Sequence, residues 1–588
     1  MCGIFAYSGN KNNAGDIILE GLKSLEYRGY DSWGVAVKEK SGKLFIEKHV
    51  GKIGNATLPP LSSSIGLGHT RWATHGGVTK ENAHPHTDCK KNIVVVHNGI
   101  VENFDEFKKQ LVKKGHKFLS DTDTEVIAHL IEEELKSTKD FQNSILDVFQ
   151  KLAGLNAIIV FQPSTNQFAA IKNGSPLVFG VNEEKQEYFL ASDSYSILSH
   201  TERVYFLEDN ELLLVGQKQF KLLDLQGKEK NIAFTNLPFI KDDLALGIYK
   251  DYMSKEIHEQ PKVLQQLIDN DEKSIKAFAK HIEKAYGTYF IGCGTASYAA
   301  LAGTYLFAKI ADRHVNVAVG SEFSWLVDFL KKASLVVAFS QSGETVDIIS
   351  SARRAREKGA KIASVTNVLG STLYRMSDYK LLIGAGPEKA VCSTKSFTAK
   401  IAILLLLAHC LDGGYDKGKK KVEKAIAEVK KVFKEEAKIK VLSQKLKNSQ
   451  HVYILGRGLS YPTALESTLK IKEVSYIHAE GFAGGELKHG VIALIEKGTP
   501  VIVYNPEDET YQDTLSSAYE VKARGAYVIG ISSKPHDIYD EFIKVGDCEE
   551  ATIIPNVVIA QLLGYYLAIA KNLDPDKPRN LAKSVTVK

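Results

Sequence analysis

The chain has 588 residues, 44% of them hydrophobic and 25% charged, with a formal net charge of +5. That length exceeds what one hydrophobic core supports, so three or four units are expected. The small charge excludes the electrostatic footprint of a nucleic-acid binder. The Lys-rich stretches at 417–421 and 430–440 recur at helical spacing among Glu and Ala, as on a solvated helix face. Six cysteines lie scattered without a CxxC pair, which argues for a reducing compartment and against a disulfide scaffold or a zinc ribbon. No basic segment followed by an apolar run opens the chain. The apolar run 401–408 is too short to span a bilayer, which takes ~20 residues. The run 553–570 contains Pro555, Asn556, Gln561, Tyr565 and Tyr566, so both read as buried core helices. A cytoplasmic protein with no nucleic-acid or membrane partner is expected.

Up to residue 235, strand-like runs at 4–7, 35–37, 93–96 and 157–161 mix with amphipathic helices at 16–25 and 124–135. Clustered strands with few helices between them suggest a layered α+β domain. Residues 236–266 read as a connector marked by Pro238, Lys241, Asp242 and Asp243. Beyond it, strand and helix alternate strictly, which signals a parallel sheet, and the pattern occurs twice. The strand 289–292 runs into Gly294 and a helix, as 452–456 runs into Gly458 and a helix. Gly359-Ala360 opens a strand, as does Gly525-Ala526, and Glu344-Thr345 matches Glu509-Thr510. The offset is about 165 residues throughout, so the second half reads as two copies of one α/β sandwich.

Cys2 becomes the N-terminus when Met1 is removed, and its own α-amino group, with a reference pKa of ~7.7–8, can then take the thiol proton. Arg71-Trp72-Ala73-Thr74-His75-Gly76 places a guanidinium, a hydroxyl and an imidazole at the end of a strand. Asn98-Gly99 follows another strand and offers a side-chain amide beside a glycine N–H, the pair a developing oxyanion needs. Asp123, within Asp121-Thr122-Asp123-Thr124-Glu125 at a helix start, suits an α-ammonium group. The pair His84 and His86 has no third ligand at helical spacing and reads as structural.

Together with Tyr27-Arg28-Gly29-Tyr30-Asp31-Ser32, these segments resemble the N-terminal-nucleophile (Ntn) glutamine amidotransferases, and within them the isomerising glutamine–fructose-6-phosphate aminotransferases. The resemblance implies Cys2 as nucleophile and Asn98 and Gly99 as oxyanion hole. It implies glutamine binding by Arg71, Thr74, His75 and Asp123, and Trp72 as gate of the ammonia path. Trp33 stands where the family usually has alanine.

In the second half, Ser340-Gln341-Ser342-Gly343-Glu344-Thr345 follows a strand and opens a helix, and hydroxyls with free N–H groups there suit a phosphate dianion. Cys293-Gly294-Thr295 adds a second helix start at the same sheet edge, where open parallel sheets bind ligands. The equivalent loop of the other copy is Asn505-Pro506-Glu507-Asp508-Glu509-Thr510, whose carboxylates repel phosphate. Only the first copy is therefore expected to bind it.

These loops also resemble the tandem sugar-isomerase (SIS) domains of the same family. So do Ala385 to Glu388, Val391 to Lys395, Lys470 to Glu473, His478 to Glu480, Gly485 to Gly490 and the tail Leu581 to Val587. The implied fold is a four-layer αββα Ntn hydrolase domain at 2–235, a linker at 236–275, SIS domains with parallel sheets at 276–425 and 426–578, and a catalytic tail at 579–588. By the same resemblance Thr295, Ser340, Gln341, Ser342 and Thr345 cradle phosphate, and Val391, Ser393, Lys470 and Ala582 line the sugar site. His489 assists ring opening, Lys583 forms a Schiff base at C2, and Glu473 moves a proton between C1 and C2. Glutamine and fructose 6-phosphate are the implied substrates, with another keto-sugar phosphate as the alternative acceptor. No metal or organic cofactor is implied, and a homodimer is. Ala296 replaces a serine and Val491 a proline found in some members.

Overall fold

The period-2 alternation of the first strand decides the layering of the N-terminal half. In Gly3–Ser8, Ile4 and Ala6 face one way and Phe5 and Tyr7 the other, because successive strand side chains point to opposite faces. Ile4 and Ala6 join a core between two sheets, with Ala36 and Leu67 from their own sheet and Val94, Val96, Ile159 and Phe161 from the other. Phe5 and Tyr7 pack under the helix Ala14–Ser24 through Ala14, Ile18 and Leu22, which recur every fourth residue along one helix face. On the outer side of the second sheet, Val95, Ile158 and Val160 meet Val126, Ile127 and Ile131 of the helix Glu125–Thr138 and Ile145 and Phe149 of Phe141–Lys151. Helix, sheet, sheet, helix is the expected αββα order. Each fully buried Phe, Ile or Leu contributes ~1.5–3 kcal/mol.

The structure is a computed structural model that describes residues 2–217, 219–237 and 245–586. The connector residues Pro238, Lys241, Asp242 and Asp243, and Val587 of the tail, lie outside the described residues. The chain forms two compact units, one mainly of residues up to 244 and one of residues 245–369 and 373–583. In the first, an eight-stranded and a seven-stranded sheet face each other. Gly3–Ser8 lies inside the eight-stranded sheet, antiparallel to both Ser63–Arg71 and Glu187–Ala191. The pairing of Gly3 with Thr70 sets Cys2 beside the end of the Arg71 strand.

The second unit contains two five-stranded parallel sheets of identical strand order. Gly287–Gly292, Ser334–Ser340, Lys361–Thr366 and Tyr379–Leu382 in one correspond to His451–Gly456, Pro500–Asn505, Tyr527–Ser532 and Glu541–Lys544 in the other. Gly294 and Gly458 both hold positive φ, +54° and +51°, at the same turn between first strand and first helix. The internal repeat read from sequence is thus a repeat of fold. Between the sheets lies one core to which the helices Thr295–Ala311, Lys395–Leu411, Ser460–Ser475 and Ile553–Ala570 all contribute. The segment Glu549–Ala570 is long and apolar enough to cross a membrane, but 83% of its apolar window is buried in this core. Residues 401–408 are likewise buried within their helix.

Candidate active sites

The Cys2 thiol sits at the start of the central strand, where its Sγ accepts the Trp72 N–H at 3.2 Å. Burial pushes the Cys2 thiol above its ordinary pKa, and the Trp72 N–H opposes this only in part. A thiol so placed needs a base close by to act as a nucleophile. The Asn98 Nδ2 donates to the Cys2 carbonyl at 3.0 Å, and Gly99 follows with φ +137°. A Cβ at Gly99 would lie 2.0 Å from the Leu155 carbonyl oxygen, so only glycine brings its backbone N–H to this point.

The orientation of Asn98 is set from the facing sheet by His69. His69 Nε2 lies 3.1 Å from the His97 carbonyl and 3.2 Å from Asn98 Oδ1. Both are acceptors, so Nε2 carries the proton; Nδ1 is buried with no partner. Burial lowers the pKa of His69 to about 3, and the ring is neutral at ordinary pH. Sequence reasoning gave His69 no role, because a histidine inside a strand carries no local signal.

Arg71 donates from its terminal nitrogens to the carbonyls of His75, Gly76 and Gly77. In this state the guanidinium therefore shapes the loop that follows it. The same loop is tied by Asp31, which accepts the Ala73 N–H at 2.9 Å, and by Asn82, whose amide reaches the Gly77 carbonyl at 3.0 Å. Trp72 stands edge-on to Tyr30, His75 edge-on to Phe104, and Thr74 is exposed. Asp123 accepts the Val101 N–H at 2.8 Å, just before the helix Glu125–Thr138. His84 and His86 are committed to the hydroxyls of Thr124 and Thr122 at 3.0 and 3.1 Å.

In the second unit the phosphate candidates occupy one sheet edge. Gly287–Gly292 and Ser334–Ser340 are adjacent parallel strands, with Ile291 opposite Ala338, and they are the neighbours at which the strand order reverses. Their following helices begin at Thr295 and Val346, so two helix N-termini open at this switch point. Gly343, at φ +67°, donates its N–H to Ser340 Oγ at 3.0 Å. The Ser340 and Thr345 hydroxyls are 3.2 Å apart, and Ser342 Oγ accepts the Glu344 N–H at 3.1 Å. In the other copy, Asp508 Oδ1 accepts both the N–H and the hydroxyl of Thr510 at 2.8 and 2.7 Å. A carboxylate of the chain already holds the residue that precedes the helix there.

The helix Ser460–Ser475 of the second copy carries Glu466, Lys470 and Glu473 on one face, as their i, i+4, i+7 spacing requires. Lys470 Nζ reaches Glu473 Oε2 at 2.9 Å, Glu466 Oε1 at 3.2 Å, and Thr295 Oγ1 and the Ser393 carbonyl at 3.1 Å each. Burial alone would depress Lys470, but the carboxylates of Glu466 and Glu473 beside it outweigh that and hold it cationic. Burial raises Glu466 to about 7. The Cys392 thiol donates to Glu473 Oε2 at 3.0 Å.

Lys583 is drawn out of solvent, its side chain only 4% exposed, onto Glu388 Oε2 at 2.7 Å. Glu388 also accepts the N–H groups of Thr394 and Ser396 and the hydroxyls of Ser393 and Ser396. Burial opposes its ionisation, yet Lys583 and these donors hold its carboxyl well below the usual range. Nearby Glu256 is pushed up to about 8 by burial, with Glu388 adding to the shift. Charge and burial thus pull the two acids in opposite directions. Val391 is buried and its N–H donates to the Asp576 carbonyl at 3.0 Å; Ala582 precedes Lys583 in the tail. His489 is exposed at the end of a short 3-10 turn, and this chain does not bring it onto Glu473, Lys470 or Lys583.

A family profile described as a glutamine amidotransferase domain matches residues 69–199. One described as an SIS domain matches residues 281–410 and 445–569. A glutamine–fructose-6-phosphate aminotransferase (isomerising) of Pyrococcus horikoshii is 42% identical over the full length of both chains. The chain belongs to this aminotransferase family. A relative of the same description from Thermococcus kodakarensis is 40% identical, again over both whole chains. The solved C-terminal domain of glucosamine-fructose-6-phosphate aminotransferase from Francisella tularensis is 32% identical, with a TM-score of 0.52, and covers 56% of this chain and 99% of that one.

Trp33, Ala296 and Val491, expected from the resemblance to depart from the family, have these local settings. Trp33 is buried and stacks on His49 with ring centroids 4.6 Å apart, so the larger residue fills space beside the motif. Ala296 leaves Ser297 as the neighbouring hydroxyl, but Ser297 Oγ donates to the Gly294 carbonyl at 2.9 Å. Val491 starts a short 3-10 turn after Gly490 at φ +134°.

Proposed function

We propose that this member of the family joins two half-reactions, with glutamine split at Cys2 and its nitrogen placed on C2 of fructose 6-phosphate. The products are glutamate and glucosamine 6-phosphate. The α-amino group of Cys2, exposed by loss of Met1, takes the thiol proton as Sγ attacks the glutamine amide carbon. It returns that proton to the departing ammonia, and water then releases glutamate from the thioester. Asn98 Nδ2 and the Gly99 N–H stabilise the oxyanion. Asp123 holds the substrate ammonium, Arg71 with Thr74 and His75 frames its carboxylate, and Trp72 gates ammonia.

In the sugar half, Thr295, Ser340, Gln341, Ser342 and Thr345 hold the phosphate, and Val391, Ser393, Lys470 and Ala582 line the sugar. His489 assists ring opening. The Lys583 amine adds to the C2 ketone and water leaves, giving an imine; ammonia then displaces the lysine. Glu473 takes the C1 proton and returns it at C2 while the C1 hydroxyl proton passes to the imine nitrogen, which leaves an aldehyde at C1 and an amine at C2. The proposed division is 2–235 for the glutaminase, 236–275 for the linker, 276–425 and 426–578 for the SIS copies and 579–588 for the catalytic tail. The working form is a cytoplasmic homodimer.

The observation that carries this reading is Lys583, a lysine of the C-terminal tail held on the buried Glu388 at 2.7 Å. A tail lysine otherwise stays in water. Borohydride added with fructose 6-phosphate is expected to leave a stable adduct on Lys583, and none in Lys583→Met. Product identification across a panel of ketose and aldose phosphates tests the acceptor. Amination of a different keto-sugar phosphate in preference would replace it, and an adduct elsewhere would remove Lys583 from the role.

A further inference from the structure

Away from the Cys2 pocket, three segments of the glutaminase unit aim four metal-binding side chains at one point. Cys89 lies in the turn between the strands His86–Thr87 and Val94–Gly99. His116 follows the helix Phe104–Lys113, and His129 and Glu132 stand three residues apart on Glu125–Thr138. One donor atom from each falls within 4.8 Å of all the others. The two Nδ1 atoms are 3.1 Å apart. Cys89 Sγ lies 3.8 Å from His116 Nδ1 and 3.7 Å from His129 Nδ1. Glu132 Oε2 lies 3.2 and 3.5 Å from the same two nitrogens. Bonds of ~2.0–2.1 Å to nitrogen or oxygen and ~2.3 Å to sulfur give tetrahedral edges of about 3.3 and 3.6 Å. The cluster has those dimensions.

The surroundings favour a cation over a proton at the centre. His116 Nε2 points at Glu133 Oε1, 2.9 Å away, and Glu125 Oε1 lies 3.6 Å from His129 Nε2. Glu125 is itself fixed by the N–H groups of Leu119 and Ser120. Glu133 behind the outer nitrogen of His116 places that ring's proton there, as around histidines that bind metals, whereas His129 Nε2 is buried with no hydrogen-bond partner. The two Nδ1 atoms, 3.1 Å apart, sit beside a thiol and a third carboxylate, donors that a divalent ion would draw together. A thiolate and one carboxylate would neutralise its two charges. Cys89 is exposed, which provides a route in, while both histidines are buried.

We propose that Cys89, His116, His129 and Glu132 bind one divalent ion of the zinc class. Cysteine, imidazole and carboxylate suit borderline-soft Zn²⁺ better than Mg²⁺ or Ca²⁺. All four positions are filled by protein, so the ion is structural. It pins the Cys89 turn and the His116 loop to the helix whose start follows Asp123. The site rests on donor geometry alone and stands whether or not the roles assigned to Cys2 and Lys583 hold.

The test uses the full chain, purified without chelator. Elemental analysis is expected to find one zinc per chain. Replacement with Co²⁺ is expected to give the intense visible bands of a tetrahedral site and a thiolate charge-transfer band. Cys89→Ser, at an exposed position, should lose the charge-transfer band with the fold retained by circular dichroism, and the double variant His116→Gln/His129→Gln should bind neither ion. Substoichiometric zinc together with no spectral response to added Co²⁺ would overturn the site. An unchanged cobalt spectrum in Cys89→Ser would do the same.

Discussion

The contact from His69 to Asn98 makes a prediction that separates positioning from direct catalysis. In the proposed glutaminase site Asn98 is one oxyanion donor, and removal of such a donor typically costs ~2.7–4 kcal/mol, or about 10²–10³ in kcat. Asn98→Ala should lose that much glutamine hydrolysis with little change in KM. His69 touches no reacting atom. Its Nε2–H lies 3.2 Å from Asn98 Oδ1 and keeps the amide turned with Nδ2 toward Cys2. A hydrogen bond of this kind is worth ~1 kcal/mol net, so His69→Met should cost roughly fivefold. His69→Gln, which can place an N–H near the Nε2 position, should recover most of the loss. In the Asn98→Ala background there is no amide to orient, and His69→Met should then cost nothing further. The assay is glutamate release at saturating glutamine for the wild type, both single variants and the double. Independent, multiplying losses would refute the account, since groups acting through one another are not additive.

Two further outcomes follow from the same unit. Gly99→Ala would bring a Cβ within 2.0 Å of the Leu155 carbonyl at φ +137°, so it should lower the thermal midpoint and abolish glutaminase activity; a wild-type midpoint would contradict the strained geometry. Burial holds His69 at about 3 and His84 and His86 well below their ordinary pKa, so all three are neutral when folded but take up protons at ~6.5 once unfolded. The unfolded state then binds more protons, and stability falls as pH drops below ~6.5, at up to roughly 4 kcal/mol per pH unit for three groups. A glutaminase-unit melting temperature that stays flat from pH 7 to 5 would contradict this.

Much of the fold was legible because it rests on local periodicity. The apolar run at residues 4–7 marked a strand, and the 165-residue offset marked the duplicated sheet. The helix expected at 124–135 runs to Thr138. It ends at Lys139 in a left-handed turn, φ 53°, and a lysine there gives no stop signal of the kind glycine gives. The Ser340 loop was readable because hydroxyls and glycine at a helix start carry their own chemistry. Glu388 and Glu466 were not, although Glu388 stood in a matching segment. Their importance lies in Lys583 and Lys470, which approach from distant parts of the chain. The Cys89 cluster was hidden for the same reason: gaps of 27, 13 and 3 residues form no known ligand spacing.

Lys470 binds the two copies of the repeat into a lasting dependence. The lysine belongs to the second copy, yet Thr295 and the Ser393 carbonyl that complete its coordination belong to the first. A copy cut free would expose a cation now fully removed from solvent. In the proposed division of labour the first repeat holds the anion loop and the second the charged helix, while in the second repeat's own loop Asp508 accepts the Thr510 N–H and hydroxyl. Neither half can drift back to independence without rebuilding what the other now supplies.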